Sequence, residues 1–248
     1  MASGWLAAGK LLRALLHALA GWWTIVLRFP RLSDELRARR VQVWAVRMLA
    51  ILDIRLQVRG PVPAAGPLLL VANHISWLDI LVLHAARHCR FVAKADVRHW
   101  PLIGTLATGA GTLYIERASR RDAMRVVHHM ADALRGGDLL AVFPEGTTSD
   151  GSGLLPFHAN LLQAAISAAA PVQPDGLAYL DDASGAVSLA PRYVDEESLA
   201  ASLWRTLRAG RLRAVVQFGL AEQAAGRDRR AWSAALRVQV DALRRSGR

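Results

Sequence analysis

The chain has 248 residues, 53% of them hydrophobic, with 31 Lys and Arg against 20 Asp and Glu for a formal charge of +11. That length suits one large or two small domains with an ordinary core. The apolar content excludes a disordered basic chain, the lack of several long uncharged runs excludes a polytopic membrane protein, and a single cysteine, Cys89, excludes an intramolecular disulfide.

A folded protein that is both apolar and basic suits nucleic acid or an anionic membrane as partner. Residues 1–60 hold ten basic side chains and three acids (+7), residues 205–248 eleven and three (+8), and residues 61–204 ten and fourteen (−4). The basic excess therefore belongs to the two ends. It flanks the body instead of forming a stripe with stacking aromatics, and no short DNA- or RNA-binding signature is present, so nucleic acid is not the expected partner. The expected one is anionic membrane lipid, with both ends as attachments.

Residues 14–27 read ALLHALAGWWTIVL, with His17 and Thr24 polar and with Lys10, Arg13, Arg28 and Arg31 flanking. The run is shorter than the ~20 apolar residues of a perpendicular span. It predicts an interfacial or half-inserted helix with Trp5, Trp22 and Trp23 at the lipid–water boundary; a buried core helix is the competing reading. Cleavage as a signal peptide is disfavoured, because the apolar run continues past Ala18-Leu19-Ala20. Pro30 breaks the run. Ser33 then suits the cap of a second helix with Asp34 and Glu35 at the positive end of its dipole, and Val41, Trp44, Ala45, Met48, Leu49 and Leu52 form one apolar stripe at helical spacing.

Residues 54–58 alternate like a half-exposed strand and 68–72 form a continuous apolar run like a buried one. Further strands are expected at 90–93, 112–115, 139–143, 172–179, 187–194 and 212–218, and helices at 77–86, 119–135, 158–169, 199–207 and 229–245. This alternation predicts an α/β class with a mostly parallel central sheet flanked by helices. Residues 1–52 are read as N-terminal membrane-associating helices and 53–248 as one α/β domain.

In such sheets the chemistry gathers beyond the carboxyl ends of the strands, and three polar clusters fall there. Asn73-His74-Ile75-Ser76-Trp77-Leu78-Asp79 follows the buried strand at 68–72. A histidine at a strand end suits a general base, since its ordinary pKa lies near 6.5, and an aspartate five residues on could hold its other ring nitrogen. Ser76 and Asp79 also form an S-x-x-D capping pattern, which needs no catalysis. In Gly111-Thr112-Leu113-Tyr114-Ile115-Glu116-Arg117, Arg117 suits an anionic group, or Glu116 and Arg117 are surface charges. Phe143-Pro144-Glu145-Gly146-Thr147-Thr148-Ser149 is a turn whose amides and hydroxyls suit an oxyanion or phosphate, or a generic polar turn. No Walker-type phosphate loop is present. Metal binding has little support: His128 and His129 are adjacent, and His84 and His88 lack an accompanying acid.

Taken jointly, N-H-I-S-W-L-D, G-T-L-Y-I-E-R and F-P-E-G-T-T-S resemble the first three signature blocks of the glycerolipid acyltransferases, the family of the bacterial 1-acyl-glycerol-3-phosphate acyltransferases. A weaker fourth block is recognisable in Ala170-Pro171-Val172-Gln173-Pro174. The resemblance covers about residues 52–179. It implies that His74 deprotonates the free hydroxyl of a lysophospholipid, most simply 1-acyl-sn-glycerol-3-phosphate, which attacks the thioester of acyl-CoA or acyl-carrier protein without an acyl-enzyme. Asp79 would orient His74. Glu116, Arg117 and the loop Glu145, Gly146, Thr147 and Thr148 would hold the acceptor's polar head, with Asn73, Ser76 and Lys94 also at the substrate. No cofactor and no metal are implied, and the place of action would be the cytoplasmic side of a bacterial inner membrane. Tyr114 replaces the usual phenylalanine. Gln173 replaces a frequent proline and leaves the acceptor open, with lyso-ornithine lipid as the alternative. A non-enzymatic basic membrane-binding protein is the alternative of another class.

Overall fold

The structure, a computed structural model, describes residues 4–115, 120–194 and 197–247, without the side chains of 120–123. In chain order the strands are β1 (Ile54–Arg59), β2 (Leu68–Ala72), β3 (Arg90–Lys94), β4 (Leu113–Ile115), β5 (Leu139–Val142), β6 (Val172–Asp181) and β7 (Leu212–Phe218). The helices are α1 (Gly4–Leu27), α2 (Asp34–Ile51), α3 (Leu78–Ala86), α4 (Ile103–Gly109), α5 (Arg120–Arg135), α6 (Leu162–Ala168), α7 (Leu199–Arg208) and α8 (Arg229–Ser246). One sheet in the order β1-β7-β6-β2-β5-β3-β4 joins the strands. Every neighbouring pair is parallel except β6 and β7.

The central strands are apolar throughout because both faces are covered. On β2, Leu68, Leu70 and Ala72 face one core with α1, α2, α3 and α7, while Leu69 and Val71 face the other with α5, α6 and α8. Helices α1, α2 and α7 therefore cover one face of the sheet and α5, α6 and α8 the other.

Helix α1 seats on the body through small residues seven apart, Ala7, Ala14 and Gly21, which are its buried positions. His17 stacks on Trp44 of α2 with ring centroids 5.2 Å apart, and the Trp44 Nε1–H donates to the His17 carbonyl at 3.1 Å. Ser33 caps α2 as expected, its hydroxyl accepting from Leu36 N, and the α2 stripe packs into the core. A Cβ on Gly21 would stand 2.6 Å from Trp44 Nε1. Gly21→Leu is thus expected to part α1 from α2 and cost about 2 kcal/mol by overpacking, read as a lower denaturant midpoint at unchanged slope.

Two expectations differ from the structure. Residues 187–194 do not form a strand: Val187 makes a single bridge to Leu180, and the chain then departs. The departure coincides with Pro191, which has no N–H for a ladder, and carries the segment over the first polar cluster, where Tyr193 N donates to the Ile75 carbonyl at 3.0 Å. The helix expected at 158–169 is a 3-10 turn followed by the seven-residue α6. Helix α4 was not expected from periodicity.

Candidate active site

Strands β2, β5, β3 and β4 run parallel, so the residues following them emerge at one edge of the sheet. There Asp79, in the first turn of α3, folds back on the loop that precedes its helix. Its Oδ2 accepts from His74 Nδ1 at 2.8 Å, from Ile75 N at 2.7 Å and from Ser76 N at 2.9 Å. Orienting the histidine and holding the loop before the helix are therefore one arrangement. An oxygen already taking two backbone N–H groups is an acceptor toward the ring as well, so Nδ1 carries the proton and Nε2 presents a lone pair. The ring lies flat on Phe143, centroids 3.9 Å apart and planes within 5°. It keeps 17% of its side-chain surface exposed, whereas Asp79 has none, and no described residue pairs with Nε2.

The third cluster builds the floor of this site. Glu145 is buried; its Oε1 accepts from His74 N at 2.7 Å and its Oε2 from Leu155 N at 2.8 Å. Burial pushes its pKa up, against the lowering effect of those two bonds. Ser149 closes the other side, its N donating to the His74 carbonyl at 2.8 Å and its hydroxyl at 3.1 Å. Gly146, at φ +74°, adopts the left-handed conformation that glycine takes without penalty. Thr147 is exposed and Thr148 half-buried beside it. Lys94 is exposed at the end of β3 and in register with Ile115, the residue before Glu116 and Arg117. With strands ~4.8 Å apart, its strand lies about 10 Å from that of His74 across the sheet. Glu116 and Arg117 themselves lie outside the described residues.

The side chains of Asn73 and Ser76 are turned into the protein. Asn73 is 1% exposed, and its amide exchanges two hydrogen bonds with the backbone of Leu177, at 3.1 and 2.7 Å. Ser76, also buried, donates to the Pro191 carbonyl and accepts from Leu78 N at 3.1 Å. Gln173 is buried as well, its amide donating to the carbonyls of Pro61 at 2.8 Å and Gly219 at 2.7 Å. It stitches the β1–β2 loop to the end of β7 and has no amide hydrogen left over for an acceptor.

A family model described as Acyltransferase matches residues 54–177, a span that holds His74, Asp79 and the third cluster. The chain belongs to the acyltransferase family. This acyltransferase is 39% identical over 199 residues to the lyso-ornithine lipid O-acyltransferase of Pseudomonas aeruginosa, covering 80% of this chain and 76% of that one. It is 40% identical over 185 residues to the 1-acyl-sn-glycerol-3-phosphate acyltransferase of Neisseria meningitidis serogroup B, covering 74% and 72%. The crystal structure of the 1-acyl-sn-glycerophosphate (LPA) acyltransferase from Thermotoga maritima superposes with a TM-score of 0.68 at 18% identity, covering 96% of this chain and 97% of that one, and so shares the fold.

Three features of this acyltransferase's site were not read from its sequence. Phe143 fixes the face of the His74 ring, although it belongs to the quoted third block. Tyr179, in β6, donates its hydroxyl to Asp79 Oδ1 at 2.6 Å. Asp175, also in β6, is fully buried with neither carboxylate oxygen paired to a described residue, and burial pushes its pKa well up. The last two depend on strand register, which periodicity does not supply. His84 and His88 stack at 5.1 Å, and burial lowers their pKa values to about 3 and about 4. Among the described residues no group of three or more His, Cys, Asp and Glu is placed to hold a metal ion.

Proposed function

We propose that this acyltransferase moves a fatty acyl group from a thioester, acyl-CoA or acyl-carrier protein, to the free hydroxyl of a lysophospholipid at a membrane surface. The carrying observation is the accessible Nε2 lone pair of His74, whose ring is locked by Asp79 on the opposite nitrogen and by Phe143 on one face. The acceptor hydroxyl gives its proton to Nε2 as its oxygen attacks the thioester carbon. The carbon–sulfur bond then breaks, and the leaving thiolate takes the proton from the imidazolium. No covalent enzyme intermediate is needed, so no nucleophilic serine is required. Lys94, Glu116 and Arg117 are assigned to the acceptor's anionic head, with Thr147, Thr148 and the Gly146 turn on the near side. Asn73, Ser76 and Glu145 hold the loops.

The acceptor is 1-acyl-sn-glycerol-3-phosphate or lyso-ornithine lipid; the names of the two relatives above support each about equally. Purified enzyme in vesicles is expected to release free thiol from acyl-CoA only when a lyso-acceptor is added. A panel of the two acceptors, each with acyl-CoA and with acyl-carrier protein, assigns substrate and donor. Thiol release without any acceptor would identify a hydrolase instead and overturn the reading.

Membrane attachment is assigned to residues 1–52, on the cytoplasmic side of a bacterial inner membrane. Helix α1 is long and apolar enough to cross a membrane, and it turns Leu12, Leu16, Leu19 and Trp23 outward, each about half exposed. Covering them with lipid contributes about 1 kcal/mol each. Replacing all four by glutamine is expected to weaken co-sedimentation with vesicles at least tenfold while leaving the fold intact. Unchanged co-sedimentation would remove α1 from the attachment.

A further inference from the structure

We propose that Tyr179 is a positioning residue of the catalytic pair: its hydroxyl holds the second oxygen of Asp79 and so sets how readily Asp79 and His74 together take up a proton. The proposal rests on His74 acting as the base.

β6 is ten residues long, and its pairing with β2 ends at Ala72 opposite Asp175. Beyond that point β6 overhangs the end of β2, paired with β7 along one side and bridged at Leu180 by Val187 on the other. Leu177 and Tyr179 are two residues apart and so point to the same face, the face on which the His74 loop and α3 pack. The overhang grips that loop twice. The Leu177 backbone takes the Asn73 amide, and the Tyr179 hydroxyl takes Asp79 Oδ1. Asp79 is thus divided: Oδ2 serves the histidine and two backbone amides, whereas Oδ1 accepts from Tyr179. Tyr179 is 3% exposed and Asp79 is fully buried, so water does not substitute for the hydroxyl. Burial first, and then the charge of Asp79 and the hydrogen bond to it, push the phenol's pKa well above its ordinary value. It therefore stays protonated and a donor throughout the working range.

During the reaction His74 gains the acceptor's proton while Asp79 keeps its charge. A donor on Oδ1 stabilises the carboxylate most when the imidazole is neutral, because the negative charge is then uncompensated in a buried site. Removing the donor favours proton uptake by the pair whichever atom receives it, so the apparent titration of the pair moves upward.

Tyr179→Phe is expected to shift the acid limb of the kcat/KM pH profile upward by about one pH unit, a tenfold change in proton affinity. On the acid side of that limb kcat should fall about tenfold, with KM for both substrates within twofold of wild type. Site-specific 3-fluorotyrosine at position 179, a stronger donor of nearly the same shape, should move the limb the other way. A merely structural tyrosine would lower thermal stability without moving the limb in either variant. An acid limb superimposable on wild type in both variants overturns the proposal, and if the phenylalanine variant does not fold, the fluorotyrosine enzyme alone decides. His74→Ala, measured alongside, separates the two readings: full turnover in that variant overturns both, whereas an inactive His74→Ala with unshifted Tyr179 variants overturns the role of Tyr179 alone.

Discussion

Replacing His74 by alanine is expected to reduce acyl transfer by ~10²- to 10⁴-fold, the range by which a positioned general base accelerates proton transfer. The loss should fall on kcat, since the imidazole is placed to act on the proton that moves and not on the substrate's acyl chain. Thermal stability should change little: the ring keeps some exposure, while the bonds that hold the loop run through the His74 backbone, to Glu145 and Ser149, and through the backbone amides of Ile75 and Ser76, to Asp79. Asp79→Asn should be at least as damaging to turnover, because an amide facing Nδ1 favours the wrong tautomer. It should also lower the melting temperature, because four donors converge on this carboxylate. Rates and melting curves of the two variants check both statements, and undiminished turnover in His74→Ala would sink the mechanism.

The second large effect is on stability against pH, and it follows from four buried groups. His84 and His88 titrate in the folded protein at about 3 and about 4, against the ordinary 6.5, because burial disfavours their charged forms. Between those values and 6.5 the unfolded chain binds more protons than the folded one, so stability falls as pH drops through this window. By pH 4 each histidine removes about 3 kcal/mol, a large share of the 5–15 kcal/mol typical of a domain. Asp175 acts oppositely. Its folded pKa is raised well above 3.8 by burial, so the folded state keeps a proton that the unfolded state has lost, and stability falls as pH rises from 3.8 toward the folded value. Glu145, raised by burial too, adds to that sign. Between pH 4 and 6.5 the two histidines and the two carboxyls therefore act on stability in opposite directions. His84→Leu is expected to raise stability at pH 4 relative to pH 6.5, and Asp175→Asn to remove the decline that begins above pH 3.8, both read from melting temperature against pH. A profile of Asp175→Asn parallel to wild type from pH 3.8 upward would show that the carboxyl is not buried as a proton-bearing acid.

The contact between His74 and Asp79 was legible in the sequence because the two residues are close in the chain. His74 and Asp79 span one strand end and one helical turn, and backbone geometry alone brings a side chain at that offset back onto the loop before its helix. The continuous apolar runs at Leu68–Ala72 and Leu139–Val142 were legible for a similar reason, since strands covered on both faces need no polar side. The same local signals misread residues 187–194, where an alternating pattern belongs to a segment drawn off the sheet at Pro191. They also left Asn73, Ser76 and Glu145 grouped with substrate, although their polar atoms are turned inward onto backbone groups.

What the sequence by itself determined was the α/β alternation, the capped second helix, the three polar clusters and the pairing of His74 with Asp79. Each of these is encoded by period, by turn chemistry or by hydrogen bonds within a few residues. The tertiary structure decided the rest: the placement of α1, α2 and α7 on one face of the sheet and α8 on the other, the inward Gln173, the unpaired Asp175 and the Tyr179 hydroxyl on Asp79. These depend on strand order and register across separations as large as the 112 residues between Pro61 and Gln173. Such contacts form when the burial of the whole sheet outweighs the entropy of closing long loops, and no local pattern in the chain records that balance.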